Sequence, residues 1–469
     1  MMFALSHCMW LVIILCQLWS RSVAINEPLL LMVGMDAFRW DFLDRAQTPH
    51  FDDLTGSGIR AKHIVNVFPT KSAPNWYTIV TGLYPEAHGL VNNHVYDPLV
   101  NCDQPSMGVD LNCSDPLLWN QAEPIWITNQ RQGGKSGVLN FPFGMTVQYD
   151  GMIANFTTNP AKPLISKEKL VDDIVELFAT KSINFGIIWF PDVDHACHKY
   201  GPESKAATKA VEEMDRMVGY LVDVLKKHNL HDVLNILVVA DHGQVEVFPS
   251  QTIFLDEHVD RALYFGYQDT PVFSIFPHKD DDIPVIMKKL EKVEHLTVYT
   301  KDKIPEKYHY RNNKRIPPIL LMADVGWNVA QNKTETPYWE TTIGEHGYGN
   351  DVSKMWPTFV ASGPAFRKGI MSEPFSSTDI YSLICHILRI EPRPHNGSIE
   401  HVKHLFADGL PSHQPSVLRA SLGVVTFLLV VVTSLMLLSC SLMLKYRTEA
   451  RSVRRLEEAE GLLDEDLEA

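Results

Sequence analysis

Residues 233–243 read VLNILVVADHG, a nearly unbroken apolar run that closes on an aspartate and a histidine. Its apolar character is continuous rather than alternating, which suits a strand covered on both faces, as in a parallel sheet. Two other stretches share this design, LLLMVGMD at 29–36 and INFGIIWFPDVD at 183–194. Between them lie helical patterns such as KEKLVDDIVELFATK and AVEEMDRMVGYLVDVLKKH. Strand–helix–strand order predicts an α/β fold with a doubly wound, mostly parallel sheet in a single catalytic domain. Such sheets bind ligands beyond the carboxyl ends of their strands, and that is where each run places its polar residues.

The two ends of the 469-residue chain read differently from its middle. Residues 1–24 combine an apolar core, Met9 to Trp19, with small residues Ser22 and Ala24, and are expected to be a signal peptide. Residues 420–444 are apolar or small and uncharged, at least the ~20 residues a transmembrane helix needs. Lys445, Arg447, Arg451, Arg454 and Arg455 follow, which assigns the tail to the cytoplasm. The expected layout is a single-pass type I plasma-membrane protein: ectodomain 25–408, stalk 409–419, span 420–444 and tail 445–469. Four sequons, at Asn112, Asn155, Asn332 and Asn396, all fall in the ectodomain and fit an extracellular face. Leu462 and Leu463, after acidic residues, fit a sorting signal read by adaptor proteins, with endosomal cycling as its consequence.

A net charge of −14, with no basic stripe outside the juxtamembrane tail, excludes binding to a nucleic-acid duplex by charge attraction. Of seven cysteines, two lie in the signal peptide and Cys440 in the expected span. Cys102, Cys113, Cys197 and Cys385 remain; loop closure favours Cys102 with Cys113, and three connectivities are open.

The chemistry-bearing residues recur at the ends of the apolar runs. Asp36 follows the first, Asp194 and His198 the second, Asp241 and His242 the third, and His346 sits in GEHGYGN. A lone Asp after a strand is usually a cap or turn residue, and a Gly-flanked His is usually loop. Their joint occurrence at strand ends is harder to assign to chance. Carboxylates and imidazoles without a thiolate suit zinc, and two such ions ~4 Å apart clamp a phosphoryl or sulfuryl group. The stretch NVFPTKSAPNWY at 66–77 offers two hydroxyls, Thr70 and Ser72. Pro74 and Gly82 predict a helix over about 74–81, which leaves Ser72 at its amino end, where N–H groups favour a phosphate.

In order along the chain, NVFPTKSAPNWYTIVTGLYPEAHGLVNNHVYDP, PIWITNQ, DHACHKYGP, NILVVADHG, GEHGYGN and GPAFRKG carry a resemblance. The chain resembles the ectonucleotide pyrophosphatase/phosphodiesterase family of the alkaline phosphatase superfamily from Asp36 to about Leu405. The short layout most resembles family members four and five. The resemblance implies a nucleophilic Ser72, a covalent Ser72 phosphoryl ester and two Zn2+. Asp36, Ser72, Asp241 and His242 would hold one ion, and Asp194, His198 and His346 the other. Family spacing selects Asp194 and His198 over Asp192 and His195. Asn93 matches the residue that supports a non-bridging phosphate oxygen. Phe156 is expected to form one wall of the base pocket, where Ala73 replaces the usual Phe of the other wall. Further departures are Ala37 for Gly, Ser72 for Thr, Trp76 for His and Cys197 for Gly. The implied substrate is a small extracellular nucleotide or dinucleotide phosphoester. The alternatives are a choline-phospholipid phosphodiesterase and a weakly active or inactive surface receptor or adhesion ectodomain.

Overall fold

Alternate residues of the strand Leu29–Met35 enter two different cores, so both of its faces are dry. Leu30 and Met32 pack with Trp76, Tyr77, Ile384 and Leu388 on one side, and Leu31, Val33 and Met35 pack with Val175, Val211 and Met214 on the other. The strand Leu234–Val239 divides in the same way, with Leu237 and Val239 on the first face and Ile236 and Val238 on the second. This explains the continuous apolar runs: a strand roofed by helices on both sides has no solvent face to mark with polar residues.

The computed structural model describes residues 28–99, 115–142, 148–158, 166–334, 343–408 and 416–465. The main sheet has eight strands, in spatial order Ile370–Ser372, Gly58–Ala61, Phe359–Ser362, Leu234–Val239, Leu29–Met35, Phe185–Phe190, Ser136–Leu139 and Phe156–Thr157. The five strands from Leu234–Val239 to Phe156–Thr157 run parallel, while Phe359–Ser362 is antiparallel to both neighbours. The helices Ser72–Thr81 and Asp379–Leu388 contribute to one core, and Lys167–Ala179 and Lys205–Lys227 to the other. The expected doubly wound, mostly parallel architecture is therefore observed. A smaller antiparallel sheet, Tyr264–Asp269, Val272–Pro277, Ile319–Ala323 and Leu296–Thr300, has a core of its own.

The helix Ser416–Glu465 belongs to a second unit, Pro411–Ala469. Among the described residues no helix is long and apolar enough to cross a membrane. The side chains of 416–429, a large part of the expected span, lie outside the described residues, as do those of Leu462 and Leu463 and the whole of 1–24. Cys102, Cys113 and Asn112 also lie outside them. Cys197 and Cys385 are free, buried thiols. Asn155 and Asn396 are exposed and Asn332 is half-buried.

Burial on both faces makes a specific prediction. Ile236→Ala and Leu237→Ala, on opposite faces of one strand, should each destabilise the protein by about 2–5 kcal/mol in denaturant unfolding. A strand with one solvent face would show the loss for only one of them.

Candidate metal centre and active site

Three adjacent parallel strands deliver the central carboxylates. Asp36 follows Met35 and donates its N–H to the Phe190 carbonyl at 3.0 Å. Asp241 leaves the strand Leu234–Val239 and accepts the Ala37 N–H at 3.2 Å. Asp194 lies in the helix Asp192–Tyr200, which begins directly after Phe185–Phe190. Ala37 takes φ 56°, a left-handed conformation that costs an alanine roughly 1 kcal/mol and glycine almost nothing.

All three histidines are oriented alike. His242 Nδ1 lies 3.1 Å from the Gly243 carbonyl, His198 Nδ1 2.8 Å from Gly344 O, and His346 Nδ1 2.9 Å from Thr70 O. A carbonyl only accepts, so each Nδ1 carries a proton and each Nε2 faces inward. His242 and His346 present a lone pair there, the state a metal ligand requires, whereas burial opposes the charge of His198 but Asp194 raises it to about 9, so its Nε2 must give up a proton to a metal. His242 Nε2 lies 3.1 Å from Asp241 Oδ2 and 3.5 Å from Asp36 Oδ1. His198 Nε2 lies 3.2 Å from Asp194 Oδ1, with His346 Nε2 4.0 Å from the same oxygen. The His242 and His346 rings stack at 3.6 Å between centroids. Asp36, Asp241 and His242 form one group whose ligand atoms lie within 4.8 Å of one another, and Asp194, His242 and His346 form a second.

The structure thus brings together all six expected carboxylate and imidazole ligands, with Ser72 beside them. Its Oγ lies 3.1 Å from His242 Nε2. Ser72 is the first residue of the helix Ser72–Thr81, two residues ahead of the expected start, and Gly82 ends that helix at φ 70°. The first-turn N–H groups have no intrahelical acceptor to lose, so Pro74 fits inside that turn without cost. Thr70 is excluded as nucleophile: its buried hydroxyl donates to Tyr348 O at 2.9 Å and accepts the Gly347 N–H at 3.0 Å. Asp194 and His198 meet at the cluster, whereas Asp192 meets Lys167 Nζ at 2.6 Å and His195 is exposed. Asn93 Oδ1 accepts the Ala73 N–H at 2.9 Å, which leaves its amide N–H groups as donors at the amino end of the helix.

Phe156 is not brought to this cluster. It pairs with Gly137, Gly137 with Gly186, and Gly186 with Leu31, five residues before Asp36. At ~3.3 Å per residue this puts its backbone about 17 Å back along the strand direction, toward the amino end of the sheet.

Four contacts were not anticipated from sequence. Glu345 is buried and meets Lys71 Nζ at 3.0 Å, and Lys71 also donates to Thr270 O at 2.5 Å. Gln244 Nε2 donates to Asp194 Oδ1 at 2.6 Å. Trp76 Nε1 donates to Asp36 Oδ2 at 3.2 Å, a ring N–H where the resemblance leads one to expect histidine. Gly34 makes room for that indole, since a Cβ there would lie 2.9 Å from its Cη2. The adjacency of Lys71 to Ser72 and of Glu345 to His346 was the available sequence signal.

The carboxylates set the electrostatics. Burial pushes Asp36 and Asp241 well above the ordinary carboxylate range, Asp36 further through Asp194 and Asp241 through Asp36. Asp36 Oδ1 and Asp241 Oδ2 are buried with no hydrogen-bond partner among the described residues. Burial would raise Asp194 as well, but His198 beside it overcomes that and holds it down. Burial keeps His242 and His346 neutral, far below the usual imidazole range. The site's lysine is committed to Glu345. Orphaned oxygens, neutral inward-facing Nε2 atoms and uncompensated negative charge fit divalent cations, and the N/O donor set fits zinc.

In chelator-treated protein these raised carboxylates store a penalty. A carboxylate whose folded pKa exceeds its unfolded value stabilises the fold at low pH and loses that contribution as pH rises through the folded value. In the chelated protein the contribution of Asp36 and Asp241 to the thermal midpoint should therefore fall as pH rises above about 4, the unfolded carboxylate value, against the opposite trend of carboxylates such as Asp97 and Glu203 that nearby cations hold low. Asp241→Asn should flatten that fall and raise the midpoint at neutral pH by about 2 °C or more, while removing the stabilisation that added zinc gives the parent. A midpoint lowered in the chelated variant would contradict the electrostatic account.

Comparison with known proteins agrees with the geometry. The family model described as type I phosphodiesterase/nucleotide pyrophosphatase matches residues 30–349. Ectonucleotide pyrophosphatase/phosphodiesterase family member 5 of Homo sapiens is 38% identical over 398 residues, 84% of this chain and 81% of that protein. Bis(5'-adenosyl)-triphosphatase enpp4 of Mus musculus is 35% identical over 444 residues, 94% of this chain and 93% of that one. The solved structure of an inactive form of murine ectonucleotide pyrophosphatase/phosphodiesterase 5 in complex with AMP superposes with a TM-score of 0.77 at 37% identity, covering 81% of this chain and 100% of that one. The chain therefore belongs to the type I phosphodiesterase/nucleotide pyrophosphatase family, a family of hydrolases.

Proposed function

We propose that the protein is a zinc-dependent ecto-phosphodiesterase/pyrophosphatase that cleaves extracellular nucleotide or dinucleotide phosphoesters through a covalent Ser72 intermediate. The observation that carries this reading is the placement of Ser72 Oγ. It lies at the amino end of a helix, 3.1 Å from an inward-facing histidine nitrogen and next to carboxylates with orphaned oxygens. Asp36, Ser72, Asp241 and His242 would hold one Zn2+, and Asp194, His198 and His346 the other. When bound, these ions supply Lewis-acid polarisation of the phosphoryl oxygens and favour the deprotonated serine.

The remaining work falls to the chain itself. The first-turn N–H groups and helix dipole draw the phosphate to Ser72. The Asn93 amide donates to a non-bridging oxygen as charge builds there. Ser72 Oγ attacks phosphorus as its proton passes to solvent, the P–O bond to the leaving ester oxygen breaks opposite to it, and water later cleaves the Ser72 Oγ–P bond, one of its protons returning to Oγ. Trp76 and Gln244 hold Asp36 and Asp194 in place, and the three backbone carbonyls fix the histidine tautomers. The names of the relatives support nucleotide substrates, and that of the murine enpp4 a diadenosine triphosphate.

The sequence supports an extracellular position for this site. A cleavable leader, the run 420–444 and the cations after it favour a type I anchor in the plasma membrane, and Leu462 with Leu463 favours adaptor-driven endosomal cycling. Replacing both leucines by alanine should raise the surface fraction measured by biotinylation, and an unchanged fraction would remove the sorting reading.

The hydrolytic reading is tested with purified protein, a chromogenic nucleotide ester and a diadenosine triphosphate. Ser72→Ala should lower kcat by at least about 10³-fold. Chelation should abolish turnover and zinc restore it. A Ser72→Ala protein as fast as the parent would refute the role given to this oxygen.

A further inference from the structure

The small antiparallel sheet has two ends with different surroundings. At one end, between the paired strands Tyr264–Asp269 and Val272–Pro277, Thr270 O accepts a hydrogen bond from Lys71, the residue before Ser72. At the opposite end, marked by Phe276 and Thr300, lies a cleft of about 1000 Å³ that the hydrolytic reading leaves unused. Its walls are mostly apolar and include Tyr96, Leu99, Phe276, Ile283, Ile316 and Pro318. Tyr96 and Phe276 meet edge to face with ring centroids 5.0 Å apart, and Ile316 is buried, so this side is formed in advance of any ligand. A concave, mostly apolar cleft of up to roughly 1,000 Å³ with a few polar groups is the usual form of a small-molecule site.

Three cations line this cleft, Lys301, Arg311 and Lys314, against two carboxylates, Asp97 and Asp302. Both carboxylates are already paired. Asp97 meets Lys314 Nζ and the buried Arg315 Nε, each at 2.9 Å. Asp302 accepts the Thr300 hydroxyl at 2.7 Å and lies 3.3 Å from Lys303 Nζ. Arg311 reaches a carboxylate only at 3.4 Å, on Glu306, whose side chain is 90% exposed. Lys301 reaches none among the described residues. Its Nζ makes a short hydrogen bond to the neutral Asn313 carbonyl, and burial pushes the ammonium below the usual lysine range with no carboxylate to raise it. A lysine that only spread its stem over apolar surface would carry its head out to water; this head is half-buried and fastened to the backbone. A charge drawn from water without a counter-ion costs free energy that an incoming anion recovers.

We propose that this cleft binds an amphiphilic carboxylate, an apolar chain with a single anionic head. The chain lies against Tyr96, Phe276 and Ile316, and the head accepts hydrogen bonds from Lys301 Nζ beside Arg311. Three cations against two carboxylates leave one positive charge over, which a monoanion balances and a dianion would exceed. An ammonium has three donors and Lys301 spends one of them on Asn313, so two remain for a carboxylate. Charge-assisted hydrogen bonds of this kind are the strong ones, and they separate the acid from a neutral molecule of the same length. The inference is independent of the hydrolase reading.

Its test measures binding of oleate, oleyl alcohol and oleyl phosphate to the intact protein by calorimetry, each below its aggregation concentration. Oleate should bind saturably at one per chain, and oleyl alcohol at least about tenfold more weakly. Lys301→Met should weaken oleate about tenfold and the alcohol by less than about threefold, while Lys301→Arg should keep most of the difference. Leu99→Asp, at an exposed wall position, should weaken oleate too, and unchanged thermal midpoints in these variants would show that the fold is intact. Absence of saturable oleate binding, or equal oleate affinity in the parent and Lys301→Met, would overturn the proposal. Oleyl phosphate bound more tightly than oleate would overturn the carboxylate assignment.

Discussion

Asp36 and Asp241 hang from neighbouring parallel strands, whose spacing of ~4.8 Å forces two buried carboxylates together. Asp194 joins them from the next strand over. Like charges at such separations repel strongly where water is excluded, and a buried charge without a partner costs several kcal/mol. His198 offsets Asp194, but among the described residues no cation is paired with Asp36 or Asp241: Lys71, the buried lysine at the site, is paired with Glu345. The two orphaned oxygens are the trace of that conflict. Divalent cations bound there would resolve it, and the histidine Nε2 atoms already face inward to share them.

The same arrangement locates the chemistry. On the proposed reading, a phosphate attracted to the cluster would meet the first turn of the helix Ser72–Thr81, where the backbone N–H groups also point. The two candidate hydroxyls of the stretch 66–77 are then separated by their surroundings. Thr70 is locked between Tyr348 and Gly347, and Ser72 alone faces the cluster. Asn93 lies beside the same turn, where its Oδ1 accepts the Ala73 N–H.

Much of this was legible in the sequence because it is local. Continuous apolar runs announced strands buried on both faces, and polar residues at their ends announced the site. The candidate ligands could be picked out because each sits at a strand end or on one helix, while their division between two ions came from the family resemblance alone. What escaped was long-range. Lys71 and Glu345 meet although 274 residues apart, and no local pattern encodes that pairing. Trp76 reads as a core aromatic, and its N–H bond to Asp36 depends on the space left by Gly34. Phe156 was misplaced because the register of an edge strand is set by its neighbours, and here it lies toward the end of the sheet away from the site.

The central claim is that the converged carboxylates and histidines hold two zinc ions. X-ray diffraction from crystals of the protein, recorded just above and below the zinc absorption edge, tests it most directly. The account predicts two anomalous peaks, one between Asp36, Asp241 and His242 and the other between Asp194, His198 and His346. Zinc-soaked crystals with no peak among these residues would contradict it.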